Sequence, residues 1–260
     1  MYSKIFWAVG LLVVSFKLMA LSYVPQNIVG NWLNQQTDYI ELLQINEDGS
    51  YLQLGLDLLQ PENSFAEWGS YTLSESSNFA DLPLIISFNP TFSNNPAEGL
   101  ITLLTDRSKS HVYINASASA SAERLQLNMD SQSDSSIDVI IEYHQLQAQS
   151  IEGYWYNQEF DDLFAVLMLN NGLYVQLQIN LDHDDENTGM EWGQYQHQMD
   201  SGEVYFQAEY DDNQQIGFNR LNDIAAAAFN IKLHDNQLIF LLDSNDDGVI
   251  DSCSTLLRKN

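Results

Sequence analysis

An internal repeat constrains the fold of this 260-residue chain more than any other feature. Residues 27–35, NIVGNWLNQ, recur as residues 150–158, SIEGYWYNQ. Further along, EWGSY at 67–71 returns as EWGQY at 191–195. Glycines and tryptophans that keep their spacing twice are typical of a duplicated structural unit. We therefore predict two tandem units, the first over residues 23–148 and the second over residues 149–260.

Alternation of apolar and polar residues predicts the fold inside each unit. Residues 51–58 and 174–181 both alternate strictly, and this period of two is typical of a β-strand with one apolar and one polar face. DG at 48–49 and NG at 171–172 mark hairpin turns. About eight such strands fit in each unit. The expected fold is all-β: two tandem antiparallel up-and-down β-barrels of about eight strands each.

Some stretches fit this pattern less well. Residues 224–229, IAAAAF, favour a helical turn because alanine is the best helix former. Residues 116–122, ASASASA, indicate a flexible hairpin. Strands are nevertheless expected at residues 100–104 in the first unit and 215–220 in the second.

The repeated motifs carry a family resemblance. A G-x-W pattern opens both units, at Trp32 and Trp155, and D/N-G-x-Y and W-G-x-Y follow it. This arrangement resembles the calycin or lipocalin-like family. The resemblance implies a small barrel closed at one end by that tryptophan, often beneath an arginine of the last strand, with an apolar-ligand cavity as an alternative use. Arg258 is placed to lie over Trp155 in a cation–π contact, whereas Gln145 takes the same position in the first unit.

The first residues predict export. Lys4 precedes a mainly apolar run over residues 5–16, and small residues follow at Ala20 and Ser22. This is the layout of a secretory signal peptide over residues 1–22, cleaved after one of those two residues. The alternative, an N-terminal membrane anchor, is disfavoured because the run is too short to span a bilayer. We expect a secreted or periplasmic protein with no membrane span after cleavage.

The charge balance limits the partners. The chain has 36 acidic and 9 basic residues, for a net charge of −27. Such a field repels phosphate backbones, so we expect no nucleic-acid partner. It attracts divalent cations, although adaptation to a salty medium would produce the same composition. Cys253 is the only cysteine, so no intrachain disulfide can form, and we expect its thiol to be buried.

Residues 243–251, DSNDDGVID, are the strongest candidate for a functional site. Asp stands at positions 1, 5 and 9, Asn at position 3 and Gly at position 6. Ca²⁺ takes six to eight oxygen ligands, and a glycine permits the sharp bend that wraps a loop around it. The loop resembles the calcium loops of EF-hand and dockerin-like sequences. By that resemblance the metal ligands are Asp243, Asn245, Asp247, Val249 through its carbonyl oxygen, and Asp251 directly or through water.

A related stretch, DSQSDSSID at residues 130–138, occupies the same place in the first unit. It has Gln132 and Ser135 where the second loop has Asn and Gly, so we expect weak or no metal binding there. Ser254 stands at position 12 of the second loop, where an EF-hand has a bidentate Glu or Asp. These departures favour a β-hairpin calcium loop of modest affinity. The alternative is a solvated acidic turn, because D-G turns are common in β-proteins.

No residue is predicted to be catalytic. The leading hypothesis is an exported, non-catalytic binding or surface-interaction protein with a Ca²⁺-stabilised fold, whose partners are the calcium ion and either a small apolar ligand or another protein. The alternative is a carrier of a small apolar ligand in a barrel cavity. A third is a hydrolase with an unrecognised carboxylate site, for which Glu67 with Glu191, or Asp161 with Asp162, are candidates. Residues 182–186, DHDDE, are interpreted as a solvated loop rather than a transition-metal site.

Overall fold

The structure, a computed structural model, describes most of the chain after residue 27. The described residues are 28–75, 84–95, 98–99, 111–119, 122–130, 134–146, 150–157, 163–180, 188–213, 217–218, 228–245 and 247–258. They form sixteen antiparallel β-strands and a short 3-10 helix at Pro61–Asn63. The predicted signal peptide, residues 1–22, lies outside them. No helix in the described ranges is long and apolar enough to span a membrane.

Eight strands in chain order close the first barrel. They are β1 (Gly30–Gln35), β2 (Tyr39–Ile45), β3 (Ser50–Asp57), β4 (Phe65–Glu75), β5 (Leu84–Ser93), β6 (His111–Ser119), β7 (Ala122–Asp130) and β8 (Val139–Gln145). Each strand pairs with the next, and β8 returns to pair with β1. This first closed sheet is called barrel 1 below.

The second barrel, called barrel 2, repeats this order. Its strands are β9 (Gly153–Asn157), β10 (Leu163–Asn170), β11 (Leu173–Asn180), β12 (Gly189–His197), β13 (Glu203–Asp211), β14 (Ala228–His234), β15 (Gln237–Asp243) and β16 (Ser252–Arg258). Strand β16 closes the sheet by pairing with β9. The predicted fold class, two tandem antiparallel up-and-down barrels of eight strands, is confirmed.

The structure agrees with the sequence predictions in some of the less regular stretches and differs from them in others. Of residues 116–122, residues 116–119 lie in strand β6 and Ala122 begins strand β7, which pairs with β6. Gly217 and Phe218 lie in a bend, so the expected strand over 215–220 is wrong at those two positions. The expected strand at 100–104 lies outside the described residues. Of the expected helical turn at 224–229, Ala228 and Phe229 belong to strand β14.

The leucine-rich faces of the strands pack between the two barrels. Leu52, Leu54 and Leu56 are fully buried, and they belong to one cluster with Val175 and Leu177 of the other barrel. The alternate residues of the same strands therefore point into the barrels. The alternation predicts an apolar and a polar face for these strands, and the apolar face is the one that joins the barrels. Burial of large aliphatic side chains of this kind contributes about 1.5–3 kcal/mol each.

Each barrel also has an interior core beside that shared cluster. Trp32, Tyr51 and Tyr143 pack inside barrel 1, and Trp155 and Tyr174 pack inside barrel 2. Hydrogen bonds then fix the contact between the barrels. The Trp192 indole nitrogen donates to the Ser64 hydroxyl at 3.0 Å, and the Asn94 amide donates to Asp212 at 2.7 Å.

A β-bulge explains why E-W-G occurs twice. The register shifts between Trp68 and Gly69 in barrel 1, and between Trp192 and Gly193 in barrel 2. A Cβ at Gly69 would lie 2.3 Å from the Asn89 carbonyl oxygen, and one at Gly193 would lie 2.0 Å from the corresponding oxygen of its partner strand. Only glycine fits so close to the neighbouring backbone. The repeated motif is thus a requirement of the barrel frame.

Candidate functional site

The loop between β15 and β16 contains all five predicted metal ligands. Asp243 ends β15 and is only 4% exposed, whereas the following residues lie at the surface. Its Oδ1 accepts the backbone N–H of Asn245 at 3.3 Å and of Asp247 at 3.2 Å, and its Oδ2 accepts that of Gly248 at 2.7 Å. A single buried carboxylate therefore determines the path of the loop.

Further side-chain oxygens tighten the same loop. Asn245 accepts the N–H of Asp247 at 3.1 Å, and Asp247 accepts the N–H of Val249 at 2.8 Å. Asp251 accepts both the backbone N–H and the hydroxyl of Ser244, at 2.8 and 2.5 Å. These hydrogen bonds, above all that from the hydroxyl, lower the pKa of the Asp251 carboxyl. Asp251 is therefore ionised at neutral pH, as a calcium ligand must be.

Gly248 supplies the bend in this loop. Its φ of +81° lies in the left-handed region, and a Cβ there would meet no atom within 4 Å. Glycine is needed at this position for its backbone conformation alone. The side-chain oxygens do not form a closed metal cage: among the described residues, no three Asp, Glu, His or Cys side chains are close enough together to hold a metal ion.

The related loop of barrel 1 has the same backbone plan. Asp130 is 1% exposed and accepts the N–H groups of Asp134 at 3.1 Å and Ser135 at 3.0 Å. Ser135 takes the place of the glycine and adopts a φ of +67°. A side chain in this conformation costs about 1–2 kcal/mol. The bend therefore forms without glycine, but under strain.

The tryptophans of the G-x-W motifs lie at equivalent places. The indole nitrogens of Trp32 and Trp155 donate to the carbonyl oxygens of Ile28 and Ile151, at 2.9 and 2.8 Å. The guanidinium carbon of Arg258 lies 4.4 Å from the Trp155 ring centroid, which confirms the predicted cation–π contact.

Gln145 takes the place of Arg258 in barrel 1, as the sequence alignment of the two units predicts. Gln145 pairs with Trp32 across the strands β1 and β8, as Arg258 pairs with Trp155 across β9 and β16. The expected burial of Cys253 is wrong, because its thiol is exposed. It follows Ser252 at the start of β16, and both residues are exposed.

Each barrel contains a buried glutamate hydrogen-bonded to a tyrosine. Tyr51 donates its hydroxyl to Glu67, and Tyr174 donates its hydroxyl to Glu191, both at 2.6 Å. Burial and the neighbouring carboxylate raise the pKa of the Tyr174 hydroxyl, so it remains a donor. The two glutamates lie in separate barrels, so they do not form the paired carboxylates of a glycosidase site. The other pair, Asp161 with Asp162, and residues 182–186 lie outside the described residues.

Barrel 2 encloses a small, mainly apolar cavity of about 260 Å³. Phe218, Phe229 and Phe240 form one side of it, and Phe206 stacks on Phe218 with ring centroids 4.0 Å apart. Gln176 also lines the cavity, and its Oε1 is buried without a hydrogen bond from the described residues. The cavity can therefore take a small ligand that is largely apolar.

Barrel 1 has a larger cavity of about 540 Å³ with a different lining. Its lining residues are Asn34, Gln36, Tyr39, Glu41, Gln53, Phe65, Glu98, Gly99, Val139, Ile140, Ile141 and Glu142. Sequence reasoning did not identify Glu41 or Tyr143 behind it. The available signal was a charged residue inside the apolar run of β2, YIELLQI.

Comparisons with known proteins identify no family. No family model matches the chain, and no curated protein matches it. Among solved structures, an uncharacterized protein of Saccharomyces cerevisiae, YLR301w, is 8% identical, with 89% of this chain and 96% of that one covered and a TM-score of 0.36. The β sliding clamp of C. crescentus is 7% identical, with 91% and 78% covered and a TM-score of 0.14. Both scores are too low to bear on fold or function.

Proposed function

We propose that this chain is an exported, non-catalytic binding protein made of a duplicated lipocalin-like barrel, and that Ca²⁺ bound by residues 243–251 stabilises barrel 2. The secreted or periplasmic location rests on the predicted signal peptide. The duplication is supported by the bulges and buried Tyr–Glu pairs at equivalent places in both barrels.

The buried Asp243 carboxylate is the observation that carries the calcium proposal. It accepts the backbone N–H groups of Asn245, Asp247 and Gly248 and thereby sets the path of the loop that also carries Asp251. Each carboxylate oxygen has a second lone pair that can face a cation. An all-oxygen donor set suits Ca²⁺, and the absence of a bidentate residue at position 12 fits the weak affinity of extracellular modules.

A thermal melt in calcium and in chelator tests this role. At 2 mM Ca²⁺ and a dissociation constant on the order of 0.1 mM, binding contributes about 1.8 kcal/mol. That corresponds to a rise in melting temperature of roughly 3–7 °C for a protein of this size. Asp247→Ala should remove most of the rise.

Asp134→Ala is the matched control, because Asp134 holds the same position in the loop of barrel 1. It should leave the calcium-induced rise intact. Equal melting temperatures of the wild-type protein in calcium and in chelator would sink the calcium proposal.

A second candidate function is transport of a small apolar ligand in barrel 2. The three phenylalanines around its cavity favour this use. The volume is slightly below the ~300 Å³ at which ligand pockets begin, so the ligand must be small. Titration calorimetry with 1-octanol should show binding that Ala165→Phe, which fills the cavity, abolishes. Leu59→Phe, at an exposed site of barrel 1, should have no effect, and uptake that survives Ala165→Phe would exclude this cavity.

A further inference from the structure

The cavity of barrel 1 opens sideways between its first and last strands. β1 and β8 pair at Trp32 with Gln145 and at Leu33 with His144. Beyond these pairs the strands separate, and the cavity lies between residues 34–36 of one and residues 139–142 of the other. Ile140, which is 57% exposed, stands at this opening, so the cavity is accessible from solvent.

Glu41 brings a carboxylate to the inner wall of this cavity. It is 5% exposed and lines the space directly. The Tyr143 hydroxyl donates to its Oε1 at 2.6 Å, and the Gln53 amide donates to the same oxygen. A cation that enters the cavity can therefore pair with this carboxylate.

The barrel fold does not require this carboxylate. Trp32 pairs with Leu43 in barrel 1, as Trp155 pairs with Leu167 in barrel 2, so Glu41 corresponds to Ala165. By the same register at the closing strands, Tyr143 corresponds to Leu256. Barrel 2 closes with an apolar pair at these two positions. The glutamate and its tyrosine are therefore additions specific to barrel 1.

Aromatic rings form another part of the wall. A Cβ at Gly55 would lie 2.1 Å from the Phe65 ring and 2.6 Å from the Tyr39 hydroxyl. This glycine lies opposite both Glu41 and Phe65 across the neighbouring strands. It lets the two rings settle onto the sheet beside the carboxylate. A carboxylate next to aromatic faces is the combination that recognises ammonium groups.

The charge of the cavity selects the same class of ligand. Glu98 and Glu142 lie at its exposed rim, and no Lys, Arg or His is among its lining residues in the part of the chain described. The chain as a whole carries a net charge of −27, which would steer a cation towards it.

We propose that barrel 1 binds a small organic ammonium ion, with Glu41 as its buried counter-charge and Phe65 and Tyr39 as its aromatic wall. The cavity has room for more than a bare ammonium group, since about 540 Å³ lies within the ordinary range of ligand pockets. This site is separate from the calcium loop and from the apolar cavity of barrel 2, so a negative result for ammonium binding would not bear on either of those proposals.

Burial gives the site a pH signature. Burial raises the pKa of Glu41, and the hydrogen bonds from Tyr143 and Gln53 oppose that rise only in part. A bound ammonium ion favours the ionised carboxylate, so binding displaces the proton. Affinity should therefore rise with pH until Glu41 is ionised in the free protein. Tyr39 and Tyr143 face Glu41, with Glu98 and Glu142 at the rim, and burial raises the pKa of both tyrosines, so neither titrates in that range.

Titration calorimetry of the full-length mature protein with three probes of one shape tests the proposal. The probes are 2-phenylethylammonium, 2-phenylethanol and 3-phenylpropionate, which carry a positive, a neutral and a negative group on the same phenylethyl frame. The cation should bind at least about tenfold more tightly than the alcohol, and the anion should not bind. Glu41→Gln, which keeps the shape, should weaken cation binding about tenfold or more.

Glu191→Gln is the control, because it removes the buried charge of barrel 2 and should leave cation binding unchanged. Circular dichroism verifies that both variants keep the barrel fold. Equal affinities for cation and alcohol, no binding of the cation up to 5 mM, or unchanged binding in folded Glu41→Gln would each overturn the proposal. If the variant does not fold, the predicted rise of wild-type affinity with pH decides the matter, and a flat profile counts against Glu41.

Discussion

The two barrels share one frame and differ inside it. Both have a bulge at their W-G dipeptide, an anchored G-x-W tryptophan and a buried Tyr–Glu pair. The closing strands differ, because barrel 1 has Gln145 and Tyr143 where barrel 2 has Arg258 and Leu256. The lining of the cavities differs accordingly, acidic in barrel 1 and aromatic in barrel 2. Because the barrels pack against each other through their outer faces, the residues that line the cavities inside can differ between them.

The packing between the barrels explains that freedom. The cluster at the interface takes the outward-facing leucines of β3 and the outward-facing Val175 and Leu177 of β11. Polar residues such as Gln53 and Gln176 are left facing inward, and both of them line cavities. Substitution of an inward residue therefore changes a cavity without disturbing the contact between the barrels.

Removal of the two anchored tryptophans should have the largest effect. Trp32→Ala and Trp155→Ala should each lower the free energy of unfolding by about 3–5 kcal/mol, because a large buried ring is lost in both cases. Guanidinium denaturation of each variant measures this. If the two tryptophans play the same role, both variants should lose this much free energy of unfolding. A loss below about 1 kcal/mol in either variant would show that the two barrels are not stabilised in the same way.

Tyr143→Phe should cost about 1–3 kcal/mol, because Glu41 loses a donor in a buried place. The exposed Tyr205, which also donates to a glutamate, provides the control, and Tyr205→Phe should cost less than about 0.5 kcal/mol. Urea denaturation compares the two variants. A Tyr143→Phe cost as small as that of the control would mean that the polar pair of barrel 1 is not a buried network.

The pH dependence of stability should separate Glu41→Gln from the wild type. Burial raises the pKa of Glu41 above its ordinary value of 4.5 in the folded chain. The contribution of protonated Glu41 to the free energy of unfolding is therefore complete below pH 4.5, and it is lost as the pH rises through the pKa of Glu41 in the folded protein. The variant should therefore gain on the wild type above pH 4.5, by up to about 1.4 kcal/mol per pH unit, until Glu41 ionises in the fold. Melts across pH 4–8 measure the difference, and a constant difference would contradict the assignment.

Arg258→Gln, which installs the residue of barrel 1, should have the smallest effect. The loss of the cation–π contact with Trp155 should cost about 0.5–1 kcal/mol. Arg124→Gln is the control, since Arg124 forms an exposed ion pair with Glu142. Thermal unfolding of both variants would show whether the guanidinium at the closed end of barrel 2 stabilises it.

Much of the frame could be predicted from local sequence. Period-two alternation, the turn dipeptides and the repeated E-W-G motif act through the backbone, so they predict strands, hairpins and strand count. The Arg258–Trp155 contact was implied by the family resemblance, in which an arginine of the last strand often lies over the G-x-W tryptophan. Burial of Cys253 was predicted wrongly, because residue type alone does not tell on which face of a strand a side chain lies.

The interiors could not be predicted in the same way. Glu41, Gln53 and Tyr143 come from three strands, and the last is distant in the sequence from the others. Their meeting depends on strand register and on which face points inward. Alternation does not tell which face of a strand points into the barrel. In the structure the leucine face packs against the other barrel, so the polar face points inward.

Hydrogen–deuterium exchange with and without Ca²⁺ tests the calcium-loop hypothesis most directly, because it examines both hairpin loops in one protein. Calcium should protect the amides of residues 243–251, above all that of Gly248, and leave the amides of residues 134–138 unchanged. Protection of both loops, or of neither, would contradict the conclusion that one of two similar loops is a calcium site.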